Sequence, residues 1–479
     1  MKQRSNNRGP STRRPSSSPQ GARPTAGHKS NPRAPLNKSP KHSSATPPNV
    51  GSTKIMRKAG FSGKLHRGHV VDAATDFATT CAVKAQCGSC VFVNTNYGES
   101  LLKKFQVGIE TLKTTGVLAH AQILDPMPSP TPLGYRSYFK LAVRPANSKQ
   151  KAEAERDGQS RRFAIGLFVP GTHQVSVDMT DCPIHTKPLT SLLKSLQAEI
   201  ESSTLEPWDE TSGNGDLRYV AARASHLTGE IMITFVVTKP HKQELIKFVN
   251  RLRRMGHKIN SAHMNINTAK GNAIFGHETS ILAGTTALRE RVCDLDIEIS
   301  PTAFFQVNPW QAGNLYRRVE MHAGRGQPGD VAWDLYTGTG QMALILARSG
   351  YRTLGIEEVS AATIDATRNA HRNRLDERAS FIAARVEDSE TLLPEWSRHP
   401  RVIVVNPSRR GLHENARMHL THILRSNEAL KFIYVSCDAE TLARDLKDLT
   451  ASGYKVRQIE AFDMFAQTDK LEWIAVLTK

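Results

Sequence analysis

"DVAWDLYTGTGQMALILARSGY" (330–351) opens with an apolar run too short for a helix, turns at Gly-Thr-Gly, and continues with apolar residues at helical spacing. That order reads as strand, glycine-rich turn, helix. About twenty residues after the turn, "YRTLGIEE" (351–358) reads as a second strand that ends on a carboxylate, Glu357. Gly338 and Gly340 let the backbone approach a ligand closely, and an acid at the end of the next strand can accept ribose hydroxyls. The turn lacks the third-glycine spacing of a dinucleotide fingerprint, and no Walker lysine follows it. S-adenosyl-L-methionine is the nucleotide-type ligand left. Taken alone, the Gly-x-Gly turn also fits an ordinary tight turn.

Downstream the alternation continues. "RVIVVNPSRRGL" (401–412) reads as a buried fourth strand ending in Asn406-Pro-Ser-Arg-Arg-Gly, and "FIYVSC" (432–437) as a fifth ending in Cys437. Open α/β sheets bind ligands beyond the carboxyl ends of their strands. The loop Asn406–Arg410, Cys437 and the Gly338 turn are therefore expected in one crevice. These elements read as an α/β, Rossmann-like domain over 296–479, and S-adenosyl-L-methionine as its ligand would make it a class I methyltransferase domain.

Upstream, residues 71–295 read as a central α+β domain. Cys81, Cys87 and Cys90 form C-x5-C-x2-C, and Cys182 follows in "DCPIH". Three close thiolates and a remote one can fill the corners of a tetrahedral zinc site or a [4Fe–4S] cluster, and the spacing leaves both open. Cys293, in "RVCDL", reads as core in a strand-like run. Six cysteines in 479 residues argue against a disulfide scaffold. The longest apolar candidate, "IMITFVV" (231–237), is strand-sized, so a soluble, cytoplasmic protein with no membrane partner is expected.

Charge separates a third segment. Residues 1–71 hold fifteen Lys or Arg and no Asp or Glu, so they carry most of the formal net charge of +19. Rich in Ser, Pro and Gly, residues 1–70 read as a disordered basic tail that binds polyanions by counterion release.

Five stretches carry a resemblance. "SPTAFFQVNP" (300–309), "DLYTGTGQMAL" (334–344), "VVNPSRRGL" (404–412), "YVSCDAETLARDL" (434–446) and "FDMFAQTDKLEWIAVL" (462–477) resemble, in order, the signature blocks of the RNA uracil-5 methyltransferases. Asn406 in place of aspartate makes the chain most similar to the short branch that methylates 23S ribosomal RNA. That resemblance implies Cys437 as nucleophile and Glu472 as base. It also implies that Gln306, Tyr336, Gly338, Gly340, Glu357 and Asn406 hold the methyl donor or the target base. It favours a [4Fe–4S] cluster on Cys81, Cys87, Cys90 and Cys182, and a monomer acting on RNA rather than DNA. Reaching a stacked base requires flipping or a single-stranded loop. Phe304 and Phe305 are then candidates to stack on it, and Arg409 and Arg410 to take phosphates.

Ser408, Asp438 and Ala466 depart from the family pattern, Arg385 lies where a donor-contacting residue is common, and Glu387 or Asp388 is left as second acid. A carboxylate at Asp438 is expected to raise the Cys437 pKa. The rivals are a transfer RNA T-loop enzyme, an amino-group methyltransferase, and a noncatalytic iron–sulfur RNA-binding factor. The amino-group enzymes want an aromatic residue after Asn-Pro, where this chain has Ser408-Arg409. Retention of both Cys437 and Glu472 argues against the noncatalytic factor.

Overall fold

The computed structural model describes residues 77–172, 174–426 and 431–479, all within one compact unit. The basic segment 1–70 lies outside the described residues. Strand β1 (Gln122–Ile123) belongs to a C-terminal sheet. The next seven build a sheet of their own: β2 (Tyr138–Pro145), β3 (Phe163–Phe168), β4 (Val175–Val177), β5 (Leu217–Ala224), β6 (Ile231–Val237), β7 (Ile259–Ile266) and β8 (Glu278–Gly284). Their order is β4-β3-β2-β5-β6-β7-β8. β6 is the run "IMITFVV", buried at every position, as a strand covered on both faces must be. Helices Lys187–Glu201 and Lys242–Arg254 present leucine-rich stripes to this core.

A hairpin follows, β9 (Leu288–Val292) and β10 (Leu295–Ile299). Its two turn residues, Cys293 and Asp294, have φ of 49° and 61°, the conformation that matches strand twist in a two-residue hairpin. Cys293 is thus buried as expected, but in a turn rather than a strand.

The C-terminal sheet contains β11 (Val331–Leu335), β12 (Arg352–Glu357), β13 (Ala379–Ala383), β14 (Val402–Val405), β15 (Lys431–Ser436), β16 (Lys455–Phe462) and β17 (Glu472–Thr478). The order is β1-β16-β17-β15-β14-β11-β12-β13, and β17 alone among these described strands runs antiparallel to its neighbours. Strand order reverses beside β11, where open sheets bind ligands. This is the doubly wound α/β architecture expected from the sequence.

Helix Tyr97–Lys113 lies in the span read as the central domain, yet Leu101, Phe105, Ile109 and Leu112 are buried in the core of the C-terminal sheet. β1 also pairs with β16. The helix closes on the sheet through Gly108, where a Cβ would fall 2.1 Å from Cζ2 of Trp473. Gly to Ala inside a helix ordinarily gains about 1 kcal/mol. Overpacking costs about 1–3 kcal/mol and opposes that gain. Gly108→Ala is therefore expected to lower the melting temperature, and a higher melting temperature would contradict this packing.

Candidate active site

The glycine turn is built around a buried acid. Asp334 Oδ2 accepts the Ala343 N–H at 2.8 Å and the Thr337 hydroxyl, and burial pushes its pKa up to about 7. Tyr336 takes φ of +64°, rare for a side chain of its size, and its N–H donates to the Ile356 carbonyl at 2.9 Å. Strain of this kind concentrates at functional sites. The two glycines serve different ends. A Cβ at Gly340 would meet Ala366 at 3.0 Å and the Phe381 ring at 3.1 Å, so helix packing requires its absence. A Cβ at Gly338 would meet nothing within 4 Å, so that position borders open space. The Gly338 N–H donates to Glu357 Oε2 at 3.1 Å, while Oε1 takes the Val359 N–H at 3.0 Å. Burial raises the Glu357 pKa above its ordinary value.

Cys437 and Glu472 meet through strand register. In the antiparallel pair of β15 and β17, Ser436 lies opposite Trp473. Cys437 directly follows Ser436 and Glu472 directly precedes Trp473, so the two flank the end of that ladder. Burial first, and then the Glu472 carboxylate, push the Cys437 thiol up to about 11, against the Arg409 guanidinium that hydrogen-bonds it. Burial lifts Glu472 to about 8, again against Arg409. Arg409, read from sequence as a phosphate ligand, thus stands beside both groups. Asp438 does raise the thiol pKa, but less than burial and Glu472 do. Its carboxylate is engaged elsewhere: Oδ1 caps helix Ala439–Thr450 by accepting the Thr441 N–H at 3.1 Å, and Oδ2 faces the Lys470 ammonium at 3.8 Å.

Gln306 is buried in a segment clamped by the central sheet. Arg223 donates to the carbonyls of Ala303 and Phe305, both at 3.3 Å, and the Ser137 N–H donates to Val307 at 2.8 Å. The clamp separates the two phenylalanines: Phe305 is buried, whereas Phe304 is 66% exposed and alone offers a face for stacking. Arg223 escaped the sequence reading, although one arginine in the otherwise apolar "YVAARA" was a visible signal. Asn406 follows β14 directly, with its N–H on the Leu335 carbonyl at 3.2 Å. Of the two candidate second acids, Glu387 has a side chain only 7% exposed, is ion-paired to Arg385, and is close enough to Tyr336 to help raise its pKa. Asp388 is exposed.

The four remaining cysteines approach one another beside the core of the central sheet. Cys87 ends the turn Lys84–Cys87, Gly88 follows at φ of +66°, and Cys182 is buried before Pro183. Burial and the proximity of Cys182, Cys87 and Cys81 push Cys90 up to about 12. Among the described residues, no three His, Cys, Asp or Glu stand at metal-ligating spacing. The donor set nonetheless suits a thiophilic centre. Cys182, Cys87 and Cys81 disfavour the Cys90 thiolate, and a cationic centre would offset that.

No described helix is long and apolar enough to cross a membrane. The family model described as tRNA (Uracil-5-)-methyltransferase matches residues 217–479. An uncharacterized RNA methyltransferase of Listeria innocua is 31% identical over 435 residues, covering 89% of each chain. One from Clostridium tetani is 30% identical over 417 residues, covering 85% of this chain and 84% of its own. Among solved structures, the Pyrococcus abyssi tRNA (uracil-54, C5)-methyltransferase in complex with S-adenosyl-L-homocysteine matches with a TM-score of 0.62 and 27% identity. That match covers 80% of this chain and 84% of the other.

Proposed function

Because the chain belongs to the tRNA (uracil-5-)-methyltransferase family, we propose that it methylates carbon 5 of a uridine in RNA through a covalent adduct on Cys437. The observation that carries this reading is the end of the β15–β17 ladder, where the Cys437 thiol feels the charge of the buried Glu472 carboxylate. Both lie at the carboxyl edge of the sheet that bears the Gly338 turn. S-adenosyl-L-methionine fits there: Gly338 borders open space and Glu357 offers its carboxylate to a ribose, with Gly340 packing the turn. Tyr336, Glu387, Gln306 and Asn406 complete the lining. When bound, the donor supplies an electrophilic methyl carbon on a sulfonium.

Carbon 5 of uracil is a weak nucleophile. The Cys437 thiolate forms a bond to carbon 6, and the electron pair displaced onto carbon 5 takes up the methyl group as its bond to sulfur breaks, the pair staying with the leaving thioether. Glu472 then accepts the carbon-5 hydrogen as a proton. The pair from that C–H bond re-forms the carbon 5–carbon 6 double bond, and the C–S bond breaks with its electrons returning to Cys437. Arg409 favours the thiolate before addition and after release.

Glu472 must be unprotonated to act, and its pKa of about 8 leaves it mostly protonated at neutral pH. The rate of product release is therefore expected to rise with pH through about 8, and the thiolate requirement pushes the same way. A single-turnover profile that falls over this range would contradict the assignment.

Cys81, Cys87, Cys90 and Cys182 would hold a [4Fe–4S] cluster that braces the central domain. Anaerobically purified protein is expected to contain iron and sulfide near four each per chain, as one such unit requires, and Cys87→Ser to lose both. Stoichiometric zinc without sulfide would refute the cluster.

The RNA we propose is 23S ribosomal RNA, on the strength of Asn406. A second reading, the transfer RNA T-loop, is favoured by the Pyrococcus abyssi neighbour, whose name specifies tRNA uracil-54. Mass-spectrometric mapping of 5-methyluridine in both RNAs from cells lacking the gene tests the choice. Loss from 23S RNA alone is expected; loss from transfer RNA alone would install the second reading.

A further inference from the structure

The segment Asp463–Leu471 joins β16 to β17 and so sets where Glu472 begins its strand. Several acceptors of this segment converge on one cation. Lys104, midway along helix Tyr97–Lys113, lies 2.5 Å from Asp463 Oδ1, and the two side chains are 2% and 0% exposed. Its ammonium also reaches the carbonyls of Phe465 at 3.5 Å, Thr468 at 3.3 Å and Lys470 at 3.3 Å. The other Asp463 oxygen accepts the Tyr97 hydroxyl at 2.7 Å, and that hydroxyl accepts the Ser129 N–H at 2.8 Å. A compact ammonium with three donors can gather acceptors from several directions.

The same helix grips the residue after Glu472. The Phe105 ring stacks on Trp473 with centroids 5.9 Å apart, and the missing side chain of Gly108 leaves room for the indole. Helix Tyr97–Lys113 thus holds the loop before Glu472 and the side chain behind it. It does so from outside residues 217–479, which the family model matches. A buried ion pair alone is weak grounds for retaining a charge, since apolar replacements are often as stable. The three gathered carbonyls supply a reason that the pair does not.

We propose that Lys104 is a positioning residue for proton abstraction: it fixes the Asp463–Leu471 loop so that Glu472 meets the carbon-5 hydrogen of the Cys437-bound uridine. This rests on the assignment of Glu472 as base. Misplacing a reacting group by 1 Å costs about 10²-fold, and the cost should fall on adduct resolution rather than on adduct formation. The test uses full-length Lys104→Met, Asp463→Asn and the double variant, with Glu472→Gln as reference. Each is assayed well below its melting temperature for methylated RNA released and for RNA retained as a covalent band on a denaturing gel.

Lys104→Met leaves Asp463 buried without its cation and should melt lower. It should also raise the ratio of adduct to product by about 10²-fold. In the double variant no charge is stranded, so melting should recover while the ratio stays high. Asp463→Asn keeps the ammonium on the carbonyls and should partition like the parent. Recovery of a parental ratio in the double variant, or a raised ratio in Asp463→Asn, would show that Lys104 only balances Asp463 and would overturn the proposal. Absence of adduct in Glu472→Gln would instead remove the base assignment itself.

Discussion

Cys437→Ala is expected to yield neither methylated RNA nor a covalent complex, with product formation reduced by more than about 10⁴-fold, the scale on which loss of a covalent nucleophile is felt. The thiol is the only group in this arrangement that can raise the electron density of carbon 5, so nothing downstream proceeds without it. Folding should be little affected. Cys437 lies just beyond β15, is only partly buried, and leaves the Asp438 cap of the following helix intact. Equal melting temperatures with activity lost would establish the chemical role. Full turnover by Cys437→Ala would remove the covalent mechanism.

Glu472→Gln is expected to separate the two halves of the reaction. Glutamine has nearly the same shape and no basic oxygen, so methyl transfer should go forward while release slows by about 10²–10⁴-fold, the usual weight of a general base. Methylated RNA then accumulates bound to the enzyme. The substitution also removes the charge that, after burial, contributes most to raising the Cys437 pKa. Alkylation of Cys437 should accordingly begin at lower pH in Glu472→Gln than in the parent. An unshifted alkylation profile would mean that thiol and carboxylate are not close in solution.

The features legible in the sequence were local ones. The Gly338 turn, Glu357 at the end of β12, Asn406 after β14 and Cys437 after β15 each follow from a strand that ends where its apolar run ends. Their convergence follows from one rule about parallel sheets. The pairing of Cys437 with Glu472 depends instead on β17 inserting antiparallel between β15 and β16, across a separation that no local pattern records. Helix Tyr97–Lys113 escaped for the same reason. Its apolar stripe marks it as packed, but says nothing of which sheet receives it. Nothing in the local sequence marks Lys104 or Gly108; their roles come from Asp463 and Trp473 packed against them. Asp438 shows the converse. Its charge does add to raising the thiol pKa, and its position one residue before a helix also makes it a cap, which the charge alone did not suggest.

The proposed mechanism turns on one bond, between Cys437 and the base being methylated. The covalent complex formed by Glu472→Gln with its RNA and S-adenosyl-L-methionine can be digested with nuclease and protease and read by mass spectrometry. A peptide containing Cys437 that carries a 5-methyluridine nucleotide through sulfur is the result expected. Methylated RNA with no peptide attached, or a nucleotide attached to any other residue, would contradict it.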